Sequence, residues 1–150
     1  SAITGLPAGV GGKVLQVVND IDTAAIVLNT TNWIDTALSI NFTPVSASSN
    51  LLLVATIQGF TQGNSSNYGE FQARFNSDGS AIGESYERIT GNIDNNRIAI
   101  HEAYTYSVAS NSTNSRIIKI QVKNNNTNQF YCAYNQYPGY SSFTIWEYLS

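Results

Sequence analysis

The side chains that could do chemistry are few. One histidine, His101, and one cysteine, Cys132, are all that the 150 residues offer for proton shuttling or thiol attack. A serine–histidine–acid triad would have to use His101, yet no Gly-x-Ser-x-Gly elbow is present and its neighbours alternate as in a strand. In that phase His101 shares a face with Arg97, Ala99, Ala103 and Thr105, a sheet-surface position. The sharper alternative brings three copies to a threefold axis to bind a metal, since one chain cannot supply three imidazoles. Glycosidase chemistry needs two carboxylates about 5–10 Å apart in a cleft. Beyond the first forty residues the acids are Glu70, Asp78, Glu84, Glu87, Asp94, Glu102 and Glu147. Asp78 is explained by a turn, and Glu70, Glu84 and Glu87 flank a hairpin. Glu102 and Glu147 interrupt apolar strands, where each is expected to pair with Arg74, Arg97 or Arg116, because an unpaired buried carboxylate is costly. No P-loop, dinucleotide fingerprint, EF-hand loop or metal-spaced Cys/His cluster occurs. The expectation is therefore a protein that is not an enzyme, with no catalytic residue, cofactor or metal.

Binding chemistry is better represented. The run Tyr131-Cys-Ala-Tyr-Asn-Gln-Tyr-Pro-Gly-Tyr140 combines rigid aromatic area with hydroxyl and amide handles. Such a mix suits sugar rings or flat protein surfaces. Tyr134, Asn135, Gln136, Tyr137 and Tyr140 are its candidate ligand contacts, with Asn64, Asn67 and Tyr68 of the polar loop 61–68 as a second set. The plainer alternatives are that Tyr134 packs in a core, that Tyr137-Pro138-Gly139 is a turn, and that the second loop is a connector.

Composition narrows the partners. Charged residues make up 11% of the chain and hydrophobic ones 42%, so there is ample apolar material for one packed core and little to hold it unfolded. A net charge of −3 with seven Lys plus Arg leaves no cation supply for displacing phosphate counterions, which argues against nucleic acid. No apolar run reaches spanning length, so membrane insertion is not expected. Cys132 alone cannot form an intrachain disulfide, and in Gln-Phe-Tyr-Cys-Ala-Tyr it reads as a buried, inert thiol. The start at Ser-Ala-Ile-Thr-Gly, without Met, reads as a fragment or a processed product.

Those residues are positioned by β-structure. Residues 1–12, with Gly5, Pro7, Gly9, Gly11 and Gly12, form an extended lead-in, and 13–150 form a single domain. Strands are expected at 13–18, 25–29, 34–42, 51–57, 70–76, 80–85, 97–108, 116–123, 129–134 and 143–149. Turns fall at Asn19-Asp20, 46–50 and Asp78-Gly79, the last the strongest hairpin signal. Segments 59–69 and 86–96 read as irregular. Residues 51–57 are apolar on both faces, which marks a central, fully covered strand. Glu102 breaks the apolar face of its strand, so a bulge or a buried ion pair is expected there. Eight to ten strands with regular turns make an all-β fold, an antiparallel two-sheet β-sandwich of jelly-roll type. In the last strand Trp146 and Tyr148 lie opposite Phe143, Ile145 and Leu149. Only one of those faces can be core, so Trp146, Tyr148 and Trp33 are candidates for an interface between copies.

Several stretches carry a family resemblance. Gly12-Lys-Val-Leu-Gln-Val-Val18 resembles the opening of a domain common in phage tail-fibre and related virion proteins. Trp33-Ile-Asp-Thr-Ala-Leu-Ser-Ile-Asn-Phe-Thr-Pro44 resembles its next segment, an aromatic, Asp-Thr, a small residue, Leu-Ser, alternation and Thr-Pro. Residues 46–54 resemble its Ser-rich turn and aliphatic strand, 75–83 its hairpin, and Thr144-Ile-Trp-Glu147 its closing strand. The resemblance spans the chain after residue 12 and departs at 64–68, 88–96 and 135–140, where specificity would reside. It implies a homotrimeric sandwich knob at the end of a fibre shaft in a bacteriophage virion, attached to other virion proteins through its N-terminus. Its implied work is host attachment, by binding a cell-surface glycan or envelope protein. The rivals are a non-adhesive head-fibre, decoration or adaptor domain, and a carbohydrate-binding module of a secreted bacterial protein.

Overall fold

In a computed structural model of the chain, residues 12–22, 26–28, 30–62, 68–92, 97–124, 129–132 and 140–149 are described. They form ten strands and no helix: β1 (Lys13–Asp22), β2 (Ile26–Leu28), β3 (Ile34–Phe42), β4 (Asn50–Gln62), β5 (Tyr68–Ser77), β6 (Ser80–Asn92), β7 (Arg97–Ala109), β8 (Arg116–Asn124), β9 (Gln129–Cys132) and β10 (Ser141–Leu149). Alternation explains the clearest of them. In β3 the side chains Thr36, Leu38, Ile40 and Phe42 are buried while Asp35, Ala37, Ser39 and Asn41 are exposed.

Two antiparallel sheets face each other. Sheet A runs β1-β10-β4-β9-β2, with β7 along the other edge of β4, and sheet B runs β3-β8-β5-β6. The pairs β5·β6, β4·β7, β3·β8 and β1·β10 are nested like the rungs of one long hairpin. Its tip is Asp78-Gly79, and rolling it up brings β10 beside β4 and β8 beside β5. That is the jelly roll, with β2 and β9 added to sheet A. Asp78 (φ 48°) and Gly79 (φ 90°) adopt the left-handed backbone of a tight hairpin turn. The tip is tied down by Asp78, whose amide donates to the Ile117 carbonyl at 3.1 Å and whose carboxylate accepts the Ile117 amide at 3.0 Å.

The core lies between the sheets. Leu51, Leu53, Ala55, Ile57, Phe143 and Ile145 of sheet A meet Leu38, Phe42, Phe71, Phe75, Ile118, Ile120 and Val122 of sheet B. Among the described residues sixteen buried hydrophobic side chains form this one cluster.

Several expectations change. β1 continues through Asn19-Asp20 to Asp22 instead of turning, because the Asp20 carboxylate accepts the Ser39 amide of β3 at 2.9 Å and closes that seam of the sandwich. β6 continues through 86–92, paired with β5. The β4–β7 register passes Glu102 without a bulge, Glu102 lying opposite Ile57. β4 is central, but only one of its faces is covered: Leu52 and Val54, on the outer face, are half-buried. The lead-in 1–11 falls outside the described residues.

The strand ends sort into two groups. Lys13 pairs with Leu149, Tyr148 with Asn50, Asn50 with Ala109 and Phe42 with Arg116, which gathers these residues at one end of the sandwich. Asp22 with Ser141, Gln62 with Arg97 and Gln129, and Tyr68 with Asn92 mark the opposite end.

Candidate functional site

The two outer faces of the sandwich differ in kind. Sheet B carries the charges. Lys119 pairs with Asp35, Gln121 Nε2 donates to Asp35 Oδ1 at 2.7 Å, and Arg74 Nε donates to Gln121 Oε1 at 2.8 Å. The Lys119 ammonium and the Gln121 amide hold the Asp35 carboxyl below its ordinary value. Trp33 belongs to this face, with the Arg74 guanidinium 4.3 Å and the Lys123 ammonium 5.0 Å from its ring centroid.

Sheet A is the reverse. The register puts Val14, Val17, Asn19 and Ile21 of β1 in line with Tyr148, Trp146, Thr144 and Ser142 of β10. Asn50, Leu52, Val54 and Thr56 of β4 follow, then Ala109, Ser107, Thr105 and Ala103 of β7. None of these sixteen side chains is charged. Trp146 stands 41% exposed between Val17 (46%) and Leu52, with Val14 and Ile21 also in water. Tyr148 places its hydroxyl 3.2 Å from Ser107 Oγ. The structure thus brings Trp146 and Tyr148 together and separates Trp33 from them. Strand parity reveals the first fact, whereas the second depends on which sheet β3 joins.

Glu147 lies on the inner side of the same strand and is fully buried. The expected arginine is not what holds it: Arg74 serves Gln121, and Arg116 donates to the Ser110 carbonyl at 3.1 Å. Instead the turn between β3 and β4 wraps the carboxylate. The Val45 amide donates to both oxygens at 2.9 Å, the Ser46 amide to Oε1 at 3.1 Å and Ser49 Oγ to Oε1 at 2.5 Å. Gln16 Nε2 adds a bond to Oε2 at 2.6 Å. Burial pushes this carboxyl up, but the hydrogen bonds from Ser49, Val45, Gln16 and Ser46 outweigh it and hold the group below the usual glutamate range. The arrangement pins a turn to the closing strand and leaves no carboxylate oxygen open to a substrate.

Asn64, Asn67, Tyr134, Asn135, Gln136 and Tyr137 lie outside the described residues, as do the side chains of Tyr68, Glu102, His101 and Cys132. Tyr140 is exposed, immediately before β10. The strand ends that flank both segments, Gln62, Tyr68, Cys132 and Ser141, share the end of the sandwich opposite Lys13. Among the described residues no group of three or more His, Cys, Asp or Glu side chains could hold a metal.

No family model matches the chain, and no curated protein matches it. Among solved structures, one aligns over 98% of this chain and 100% of its own, with 14% identity and a TM-score of 0.36. It belongs to work headed "Bacillus endospore appendages form a novel family of disulfide-linked pili". The likeness is too loose to bear on what this chain does.

Proposed function

We propose that this domain is a homotrimeric, non-catalytic knob of a virion fibre that attaches to a host cell-surface glycan or envelope protein. The observation that carries the reading is the stretch of sixteen uncharged side chains on the outer face of β1, β10, β4 and the Ala103–Ala109 part of β7, centred on Trp146. Around a threefold axis, residues near the axis meet their own copies, so a charge there would face its like. A face built of aliphatic, Thr, Ser and Asn side chains with one tryptophan and one tyrosine avoids that repulsion and keeps its apolar surface from water. Four strands at about 4.8 Å spacing and some eight residues of about 3.3 Å rise make a face of roughly 500 Å². That is a large share of the roughly 800 Å² each partner gives to a stable interface.

The placement of the strand ends supports the adhesive part. Anything attached through Lys13 leaves from one end of the sandwich, while Tyr140 and the strand ends Gln62, Tyr68, Cys132 and Ser141 belong to the other. Three weak sites at that far end would act by avidity.

Light scattering on the purified domain tests the assembly: the expected mass is three chains, and Trp146→Asp is expected to give single chains with an intact sandwich. A monomeric wild-type protein refutes the trimer and favours a freestanding binding module. Whole-cell and glycan-array binding tests the attachment, and a trimer that binds neither cells nor envelope fractions points to the assembly or decoration role.

A further inference from the structure

The two seams of the sandwich are not alike. Where β1 meets β3, the Asp20 carboxylate bridges to the Ser39 amide and the sheets are joined. Where β6 meets β7 they stand apart around a slot of about 390 Å³, lined by Phe75, Glu84, Ser85, Tyr86, Tyr104, Thr105 and Tyr106. The sequence of β6 explains the opening. Ala73 pairs with Tyr86 and Phe75 with Ile82, so four steps along β6 are matched by two along β5, and the strand bulges at Gly83, Glu84 and Ser85. Gly83 takes φ +69°, and a Cβ there would collide with the Tyr106 ring. Only glycine lets that ring lie down on the β6 backbone. One face of Tyr106 is thus covered by the main chain, and the ring, 38% exposed, forms a platform at the slot's mouth. Deeper in, Tyr86 and Tyr104 stack at 5.7 Å between centroids, and Tyr104 meets Phe75 at 4.7 Å.

We infer that this slot is a binding site for a neutral saccharide, one or two hexose rings long. Its volume sits at the small end of ligand pockets, which run from about 300 to 1,000 Å³. Its chemistry is divided as a pyranose is divided: aromatic faces for the C–H side of the ring, and Glu84 and Ser85 at the exposed rim for its hydroxyls. Among the described residues Glu84 is the one charged side chain in the lining, and a carboxylate accepts two hydroxyl hydrogens from neighbouring carbons. The same charge repels uronic and sialic acids, so the selected class is uncharged. The slot draws on three strands of the described framework, β5, β6 and β7. It deepens the attachment reading by naming the class of receptor chemistry.

Saturation-transfer and chemical-shift NMR with methyl α-glucoside, methyl α-galactoside, methyl α-mannoside and N-acetylglucosamine tests it, with glucuronate and N-acetylneuraminate as anionic controls. The expected result is roughly millimolar affinity for at least one neutral sugar. Ring signals of Tyr86, Tyr104 or Tyr106 should shift, and the anionic sugars should leave them in place. Tyr106→Ala and Glu84→Gln should each weaken binding at least tenfold. Glu84 is exposed, so its variant keeps the fold and reads the site alone. The inference is overturned if no neutral sugar shifts these rings, or if binding survives Glu84→Gln and Tyr106→Ala unchanged. Whole-cell binding by the wild-type protein separates the two readings. A slot that takes a hexose on a protein that binds no cells sinks attachment and keeps the site, and a cell-binding protein with a silent slot does the opposite.

Discussion

Replacing Glu147 by glutamine removes one charge and changes almost no volume, so it isolates what the carboxylate does. Four donors aim five hydrogen bonds at it: the Val45 and Ser46 amides, Ser49 Oγ and Gln16 Nε2. A hydrogen bond to a charged group contributes about 1.5–3 kcal/mol and a neutral one about 0.5–1.5, so four donors lose about 4 kcal/mol together. Whichever way the new amide turns, its NH2 also faces a donor, Val45 and Ser46 on one side or Gln16 on the other. Relief of the buried charge opposes these losses by about 1–2 kcal/mol, leaving a net cost of about 2–3 kcal/mol. For a domain this size that lowers Tm by roughly 5–10 °C. Urea unfolding at one fixed chain concentration measures it, with the slope expected to stay constant. Acid supplies the second arm. The folded carboxyl titrates below its unfolded value of about 4.3, so the stabilisation is complete above that pH and disappears as pH falls through the folded pKa. Wild type and Glu147→Gln should therefore converge on acidification. A difference below about 0.5 kcal/mol at pH 7, or one that persists unchanged to pH 3, refutes the account.

Two further substitutions probe other parts of the frame. Gly79→Ala places a Cβ at φ +90° in the hairpin tip and should cost about 1 kcal/mol, read by thermal unfolding. Asp35→Asn removes the carboxylate that Lys119 and Gln121 hold, on an exposed surface, so its effect should stay below about 1 kcal/mol and shrink in 1 M salt. Since the pairing lowers the Asp35 carboxyl, that small contribution is present above the usual aspartate range and is lost as pH drops through the folded value.

What could be read from the chain was whatever repeats locally. The alternation in 34–42 and 116–123, the Asp78-Gly79 pair and the doubly apolar run at 51–57 each report their own neighbourhood, and each gave a strand or turn close to its place. The opposed faces of β10 were visible for the same reason. What stayed hidden was settled by residues far away in sequence. Asn19-Asp20 has the composition of a turn, and only the Ser39 amide explains why the strand carries on. Residues 86–92 read as irregular on composition, while pairing with β5 keeps the strand going, with a register shift between Thr90 and Asn92. Glu147 suggested an arginine because a cation is the obvious mate for a buried acid. Its actual mates are neutral: the Val45 and Ser46 main-chain amides about a hundred positions upstream, which leave no trace in residue type, and the Ser49 and Gln16 side chains, which nothing nearby in sequence singles out. The β6–β7 slot escaped for a related cause: Gly83 and Tyr106 mean little until they are seen to touch.

The pairing of Lys13 with Leu149 has a mechanical consequence. Tension applied between those two neighbours would peel β1 from β10 rung by rung, the weakest way to load an antiparallel ladder. Traction between Lys13 and a surface gripped beyond Ser141 runs along the strands instead, so the rungs of β1 and β10 share the strain simultaneously. The same sandwich is therefore a zipper in one direction of pull and a tether in the other.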